Sequence, residues 1–281
     1  MRIALAQIAP ALGDVERNLA LHEKTAQEAL DQGAGLVIFP ELSLTGYFLK
    51  DLVPTVAETL DGPALARLRE LSLRVALVVG FVEESRDHRF FNAAAYLEAG
   101  EIRRVHRKVY LPTYGIFDEQ RYLAAGDACR AFDAPFGRTA LLVCEDFWHP
   151  ALVYVAIQDG ADVLICPSAS PGRGLTRGGT FANAAAWETA NRAYAQLFTS
   201  YVLYAGRVGY EDGACFWGGS EVIGPGGEVV AKAPYAAEAL LVAELDRAEL
   251  RRARIANPLR RDERLELTLR ELRRIEAGRE R

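Results

Sequence analysis

Short apolar runs alternate along the chain with stretches whose apolar residues recur at helical spacing. IALAQI (3–8) is a six-residue strand with no room for a helix. From Glu16 to Gln32, Leu19, Leu21, Ala26, Ala29 and Leu30 recur among charges, which predicts an amphipathic helix. Gly33 and Gly35 end it, and LVIFP reads as a buried strand stopped by Pro40. Pro63 opens a second helix through LARLRELSLR, followed by the strand VALVVGFV.

The next section changes character. FFNAAAYLE and IRRVHRKVYL flank Gly100 with no helix between them, an antiparallel hairpin. TALLVC is another strand, a helix is expected from Pro150, and DVLICPS repeats the strand. A long helix follows, carrying Ala184, Trp187, Ala190, Ala193, Tyr194 and Leu197. SYVLYAGRV, GSEVIG and EALLVAEL are the closing strands, with a turn at Pro225 to Gly227. This order predicts an α/β fold with a mixed sheet and helices outside, and two sheets between helix layers would use this many strands. Residues 246–281 hold 12 Arg against 8 acidic residues, and Leu250, Leu265, Leu267, Leu269 and Leu272 make no complete core face. That segment is expected to be a charged helical extension, solvated or laid on a partner subunit, of a domain spanning 1–245.

Composition narrows the function classes. A formal net charge of -5 offers no general attraction for nucleic acid or an anionic membrane. The apolar run at the N-terminus is too short for a signal peptide, and no later run suits a membrane span, so a cytoplasmic protein is expected. Cys129, Cys144, Cys166 and Cys215 are widely spaced, without a CxxC pair, and do not read as a zinc site. No HExxH or helix-opening GxGxxG occurs, so neither a metal nor a cofactor is expected. Only four lysines, Lys24, Lys50, Lys108 and Lys232, stand in a chain of 33 basic residues that otherwise uses Arg.

Three residues fall at strand ends. Glu41 follows LVIFP, Lys108 lies in HRKVYL, and Cys144 closes TALLVC. Strands of one sheet bring their ends to a common edge, where loops wall a cleft. A thiol attacks as thiolate, so a base must take its proton. A carboxylate in a partly apolar niche titrates nearer neutrality, which suits that task. A cation beside it would stabilise the thiolate and then an oxyanion, an effect of about 3–4 kcal/mol per donor. Each residue also has an ordinary reading: a buried small hydrophobe, a surface acid, an edge charge. His22, His88, His106 and His149 occupy no comparably suggestive place, which makes a Cys-His pair less supported.

The words around the three residues decide between these readings. FPELSLTGY, HRKVYLPTYGIFDEQRY and LLVCEDFW, in this order, resemble the nitrilase superfamily of carbon-nitrogen hydrolases, and RVG and FWGGSEVIGPGGEV extend the likeness to about Leu245. The resemblance implies a four-layer α-β-β-α sandwich. It implies a Glu-Lys-Cys triad at Glu41, Lys108 and Cys144, with Glu119 as a second glutamate that holds the lysine. It further implies that the backbone amide of Glu145 joins Lys108 in binding the oxyanion, and that an acyl-thioester forms on the cysteine.

TGYFLKDL, LPTYGIFDEQRY, CEDFW and PSASP are similar to the glutaminase domain of glutamine-dependent NAD synthetases. By that similarity Tyr47 and Tyr114 line the pocket, and Ser170 with Arg173 or Arg177 holds a glutamine head group. GRGLTRGG after PSASP departs from that branch in its basic spacing, and no SGGxDS-type loop for pyrophosphate occurs. The expected activity is hydrolysis of glutamine or a related ω-amide with release of ammonia. Alternatives are another amidase, carbamoylase or nitrilase, or a non-catalytic scaffold of the same fold. Expected partners are a small amide, a second copy of the chain in a homodimer or larger homo-oligomer, and a separate NAD synthetase protein.

Overall fold

The structure is a computed structural model that describes residues 1–174 and 181–279. Its strands are β1 (Arg2–Gln7), β2 (Leu36–Ile38), β3 (Ala76–Glu84), β4 (Phe90–Glu98), β5 (Glu101–Arg107), β6 (Phe132–Ala134), β7 (Gly137–Leu141) and β8 (Val163–Ser168). They continue with β9 (Tyr201–Gly206), β10 (Val208–Glu211), β11 (Ala214–Trp217), β12 (Glu221–Ile223), β13 (Val229–Lys232) and β14 (Ala239–Glu244). Two six-stranded sheets result, in the orders β14-β1-β2-β3-β4-β5 and β13-β12-β9-β8-β7-β6, with β10 and β11 as a separate hairpin. In each sheet three central strands run parallel, β1-β2-β3 and β7-β8-β9.

Period-two alternation sorts the side chains between layers. Ile3, Leu5, Ile38 and Val78 face the second sheet's Leu141, Ile165 and Leu203 in one core. Ala4, Ala6, Val37 and Val79 point the other way, onto helices α1 (Val15–Asp31) and, after the short α2 (Val53–Val56), α3 (Pro63–Leu71). The second sheet is covered by α4 (Pro150–Gln158) and α5 (Ala182–Phe198), which send Val153, Ala156, Trp187 and Ala195 into the core. Helix, sheet, sheet, helix is the expected α-β-β-α sandwich.

Two elements differ from the sequence expectation. SYVLYAGRV is one apolar run, yet it leaves the second sheet after Gly206, where a Cβ would meet the Gly218 carbonyl oxygen at 2.4 Å. The hairpin β10–β11 that follows turns at Asp212-Gly213, both at positive φ, a pair well suited to a tight hairpin turn. The C-terminal segment forms α6 (Arg247–Ala256), α7 (Leu259–Asp262) and α8 (Leu265–Arg279). Leu250 is buried in the core, although the sparse apolar pattern did not place it there, whereas Leu265, Leu269 and Leu272 are exposed. Arg260 donates to the carbonyls of Ile157 (3.2 Å) and Ala161 (3.0 Å) at the end of α4, a favourable place for a cation. Among the described residues no helix is long and apolar enough to cross a membrane.

Candidate active site

The site lies where β2 and β7 end and β5 runs out. Glu41 sits in the turn after β2, which rides so closely over β3 that a Cβ on Gly80 would stand 2.4 Å from the Leu42 nitrogen. Leu42 itself takes φ 49°, a left-handed conformation that costs a side-chain-bearing residue energy. Buried Ser43 accepts from the Gly80 N–H and hydrogen-bonds His22 at 2.9 Å, bracing the turn from behind. Burial lowers His22 to about 4, against the lift from its bond to the Asn18 carbonyl, so that ring is neutral. Lys108 lies one residue beyond β5 rather than inside it, its N–H still donating to the Asn92 carbonyl at 2.8 Å.

These elements bring the charges together. Lys108 Nζ donates to Glu41 Oε1 at 2.7 Å and to Glu119 Oε1 at 2.6 Å, and all three side chains are buried. Glu41 Oε1 also accepts from Asn92 Nδ2 at 2.8 Å, and its Oε2 accepts from the Ala169 N–H at 2.7 Å. Tyr47, buried, donates its hydroxyl to Glu119 Oε1. Burial works against the Lys108 charge, but Glu119 and Glu41 outweigh it and hold the ammonium well above its ordinary range. For Glu119 the balance runs the other way. Burial, aided by the charge of Glu41 and opposed by that of Lys108, pushes its carboxyl up to about 7.

Cys144 begins a short 3-10 segment, Cys144–Trp148, with φ 45°. Asp146, in the same segment, fixes it across the sheets. Its Oδ1 accepts from the N–H groups of Val109 (2.9 Å) and Tyr110 (3.0 Å), just past Lys108. Its Oδ2 accepts from the Val143 N–H (3.0 Å) and hydrogen-bonds His106 Nε2 (2.7 Å). One carboxylate thus ties the cysteine's segment to the lysine's. The Cys144 thiol is pushed well up by burial and by Glu41, while Lys108 and a hydrogen bond from Ser168 pull it down.

The remaining expected residues are more dispersed. Tyr114 is 46% exposed, and its hydroxyl donates to Glu145 Oε2 at 2.9 Å. Arg173 lies exposed, with its guanidinium 5.1 Å from the ring centres of both Tyr114 and Phe117. Ser170 is buried, accepting from Trp187 Nε1 (3.1 Å) and Asn183 Nδ2 (3.2 Å). Arg177 lies outside the described residues. A cavity of about 570 Å³ is lined by Tyr47, Glu119, Phe48, Tyr122 and Leu123, and an open pocket of about 980 Å³ by Phe48, Ile116, Arg173 and Cys215. Asn92 and Ser168 were missed by sequence reasoning. Their signal was available, since each is a polar residue in an otherwise apolar strand that folding buries completely. His106 and Asp146 carried no such signal, because Asp146 is satisfied largely by backbone amides that only folding brings near.

Residues 2–255 match the family model for carbon-nitrogen hydrolases. The chain belongs to the carbon-nitrogen hydrolase family. It is 31% identical over 269 residues to a glutamine-dependent NAD(+) synthetase of Thermotoga maritima, covering 93% of this chain and 45% of that protein. The chain therefore spans about half the length of the synthetases it matches. It is also 31% identical to the chloroplastic omega-amidase of Arabidopsis thaliana, covering 94% of this chain and 73% of that one. Among solved structures, an amidase of the nitrilase superfamily from Nesterenkonia AN1 superposes with a TM-score of 0.81 at 28% identity, over 96% of each chain. Another structure of that hydrolase shows the acetamide moiety of fluoroacetamide added covalently at its active-site cysteine.

Proposed function

We propose that this chain hydrolyses the carbon–nitrogen bond of a small amide through an acyl-thioester on Cys144. Glu41 serves as general base, Lys108 and the Glu145 N–H bind the oxyanion, and Glu119 holds Lys108. The observation that carries this reading is the buried lysine shared by two carboxylates, with Glu41 bonded to the Ala169 N–H and the neighbouring Ser168 bonded to the buried Cys144 thiol.

The hydrogen bonds at Glu41 support the following order of steps. A carboxylate oxygen has two lone pairs, and Glu41 Oε1 already accepts from Lys108 and Asn92. Oε2 accepts from Ala169 alone, so the thiol proton passes to Oε2 as sulfur attacks the amide carbon. The carbonyl electron pair moves onto oxygen, where Lys108 stabilises it. The Glu145 N–H, in the first turn of its 3-10 segment, is offered no carbonyl within that turn and is free to join. The carbon–nitrogen bond then breaks, the nitrogen takes the proton from Glu41, and ammonia leaves. Water attacks the thioester, gives its proton to Glu41, and the carbon–sulfur bond breaks. Sulfur recovers the proton as the acid departs.

The substrate class is a linear ω-amide such as glutamine. Likeness to NAD synthetases and an omega-amidase supports it, and Arg173, on an open pocket with Phe48 and Ile116, has a planar fork that suits an α-carboxylate. Residues 1–245 carry the reaction in this reading, and 246–281 are an appended helical segment.

Cys144→Ala is expected to abolish ammonia release from glutamine and related amides. Brief exposure of the wild type is expected to leave an acyl mass on the Cys144 peptide. Unchanged ammonia release from the variant would refute the reading.

A further inference from the structure

Two hydroxyls in series lead to the Cys144 sulfur from the second sheet. Ser168 Oγ lies 3.2 Å from Cys144 Sγ, and Tyr204 OH lies 3.2 Å from Ser168 Oγ. Both residues are buried, at 0% and 1% exposure. Their meeting follows from strand register. β8 and β9 are parallel with Cys166 opposite Tyr204 and Ser168 opposite Gly206, so Tyr204, Cys166 and Ser168 share one face of the pleat. The Tyr204 ring is fixed by its neighbours, Trp187 at 5.0 Å and Trp217 stacked at 5.7 Å. A buried hydroxyl at the end of the apolar strand VLICPS has a desolvation cost that a hydrogen bond must offset.

We infer that Ser168 is a further catalytic residue, donating its hydroxyl hydrogen to the Cys144 sulfur, and that Tyr204 is a positioning residue that sets its direction. This rests on Cys144 being the nucleophile. A serine has one hydrogen and can accept on either lone pair. With Tyr204 donating to its oxygen, the serine hydrogen is turned toward sulfur, and the two bonds polarise each other. The donor favours negative charge on sulfur twice in the cycle, when the thiol is deprotonated for attack and when thiolate leaves the second tetrahedral intermediate. The other groups acting on the sulfur are Glu41 from the β2 turn, Lys108 beyond β5, Cys166 on β8 and Tyr47. Glu41 disfavours the thiolate and Lys108 favours it, so the serine adds to the lysine's action.

A hydrogen bond to a charged sulfur shifts its protonation equilibrium by about tenfold, roughly one pH unit. Because a more basic thiolate is also the better nucleophile, the alkylation rate below the midpoint changes by only about three- to fourfold. The test is the pH profile of Cys144 alkylation by iodoacetamide, read by mass spectrometry of its peptide, beside ammonia release, in wild type, Ser168→Ala and Tyr204→Phe. The serine variant is expected to alkylate about three- to fourfold more slowly, with its profile displaced about one unit upward. Its kcat is expected to fall with KM unchanged. The tyrosine variant, which keeps the ring, is expected to move the same way by less, and it alone decides the matter if the serine variant does not fold. Profiles that coincide with wild type, or move downward, overturn the inference while leaving the nucleophile in place. Ammonia release surviving in Cys144→Ala would instead strike the nucleophile itself.

Discussion

The Arg207–Glu211 pair and the Lys108 cluster are both buried, and they differ in balance rather than in burial. Arg207 and Glu211 pair at 2.7 Å with side chains 1% and 3% exposed. One cation meets one carboxylate, and the second carboxylate oxygen accepts from the N–H groups of Tyr47 (2.8 Å) and Phe48 (2.7 Å). The guanidinium lies 4.1 Å from the Phe216 ring centre. Gly46 makes room for the pair, since a Cβ there would stand 2.8 Å from Glu211 Oε2. In the Lys108 cluster one cation faces two carboxylates, and both Glu41 and Lys108 act on the thiol of the proposed nucleophile, Cys144. Glu119 Oε2 has no partner among the described residues, and the carboxyl is pushed up to about 7. Burial of charge is thus common to a brace and to a reactive centre. The excess of like charge separates them. The brace also serves the centre, because it holds the loop from which Tyr47 donates to Glu119.

Removing each cation tests this contrast most strongly. Arg207→Met leaves Glu211 buried without its partner, and a loss of about 3–5 kcal/mol in denaturant unfolding is expected. A loss below about 1 kcal/mol, the range of an exposed pair, would show that the pair is no brace. Lys108→Met is expected to lower kcat by about 10²–10³-fold. Its cost in stability should be smaller than that of Arg207→Met, because Glu119 can take up a proton when the lysine charge is gone. Equal stability losses would erase the distinction between the clusters.

The smallest expected effect is a slope. A carboxyl raised from 4.5 to about 7 on folding binds more protons folded than unfolded between those values. Its contribution to stability is therefore present at low pH and is lost as pH rises through about 7. Glu119→Gln cannot titrate, so wild type minus variant isolates the group. That difference should fall by about 2–3 kcal/mol from roughly pH 5 to pH 8 and level off above. A difference that stays constant or grows with pH would mean that the carboxyl is not held protonated by its surroundings.

Much of this architecture was legible in the residues. Each strand of the first sheet, the helices after Gly62 and His149, and the hairpin at Gly100 appear where periodicity and turn residues put them. The hairpin at Asp212-Gly213 was equally legible by its turn pair and was missed because SYVLYAGRV reads as one strand, although its last residue belongs to β10. Leu250 could not be placed, since one leucine among arginines has no periodic partners, and its burial depends on where α6 docks. Tyr114 and Arg173 stand beside each other at the surface, a juxtaposition that spacing alone did not state.

Chain order settled which acid, amine and thiol lie at or just past the ends of apolar runs, and so could come to a sheet edge, because apolar runs and the residues that close them are largely local features. Only the packed molecule decided that one ammonium is shared by two carboxylates, that Asp146 ties the two sheets through backbone amides, and that a serine and a tyrosine stand behind the sulfur. Those contacts join residues from 11 to 67 positions apart, and their strength comes from exclusion of water, which no local stretch of chain possesses before the two sheets close on each other.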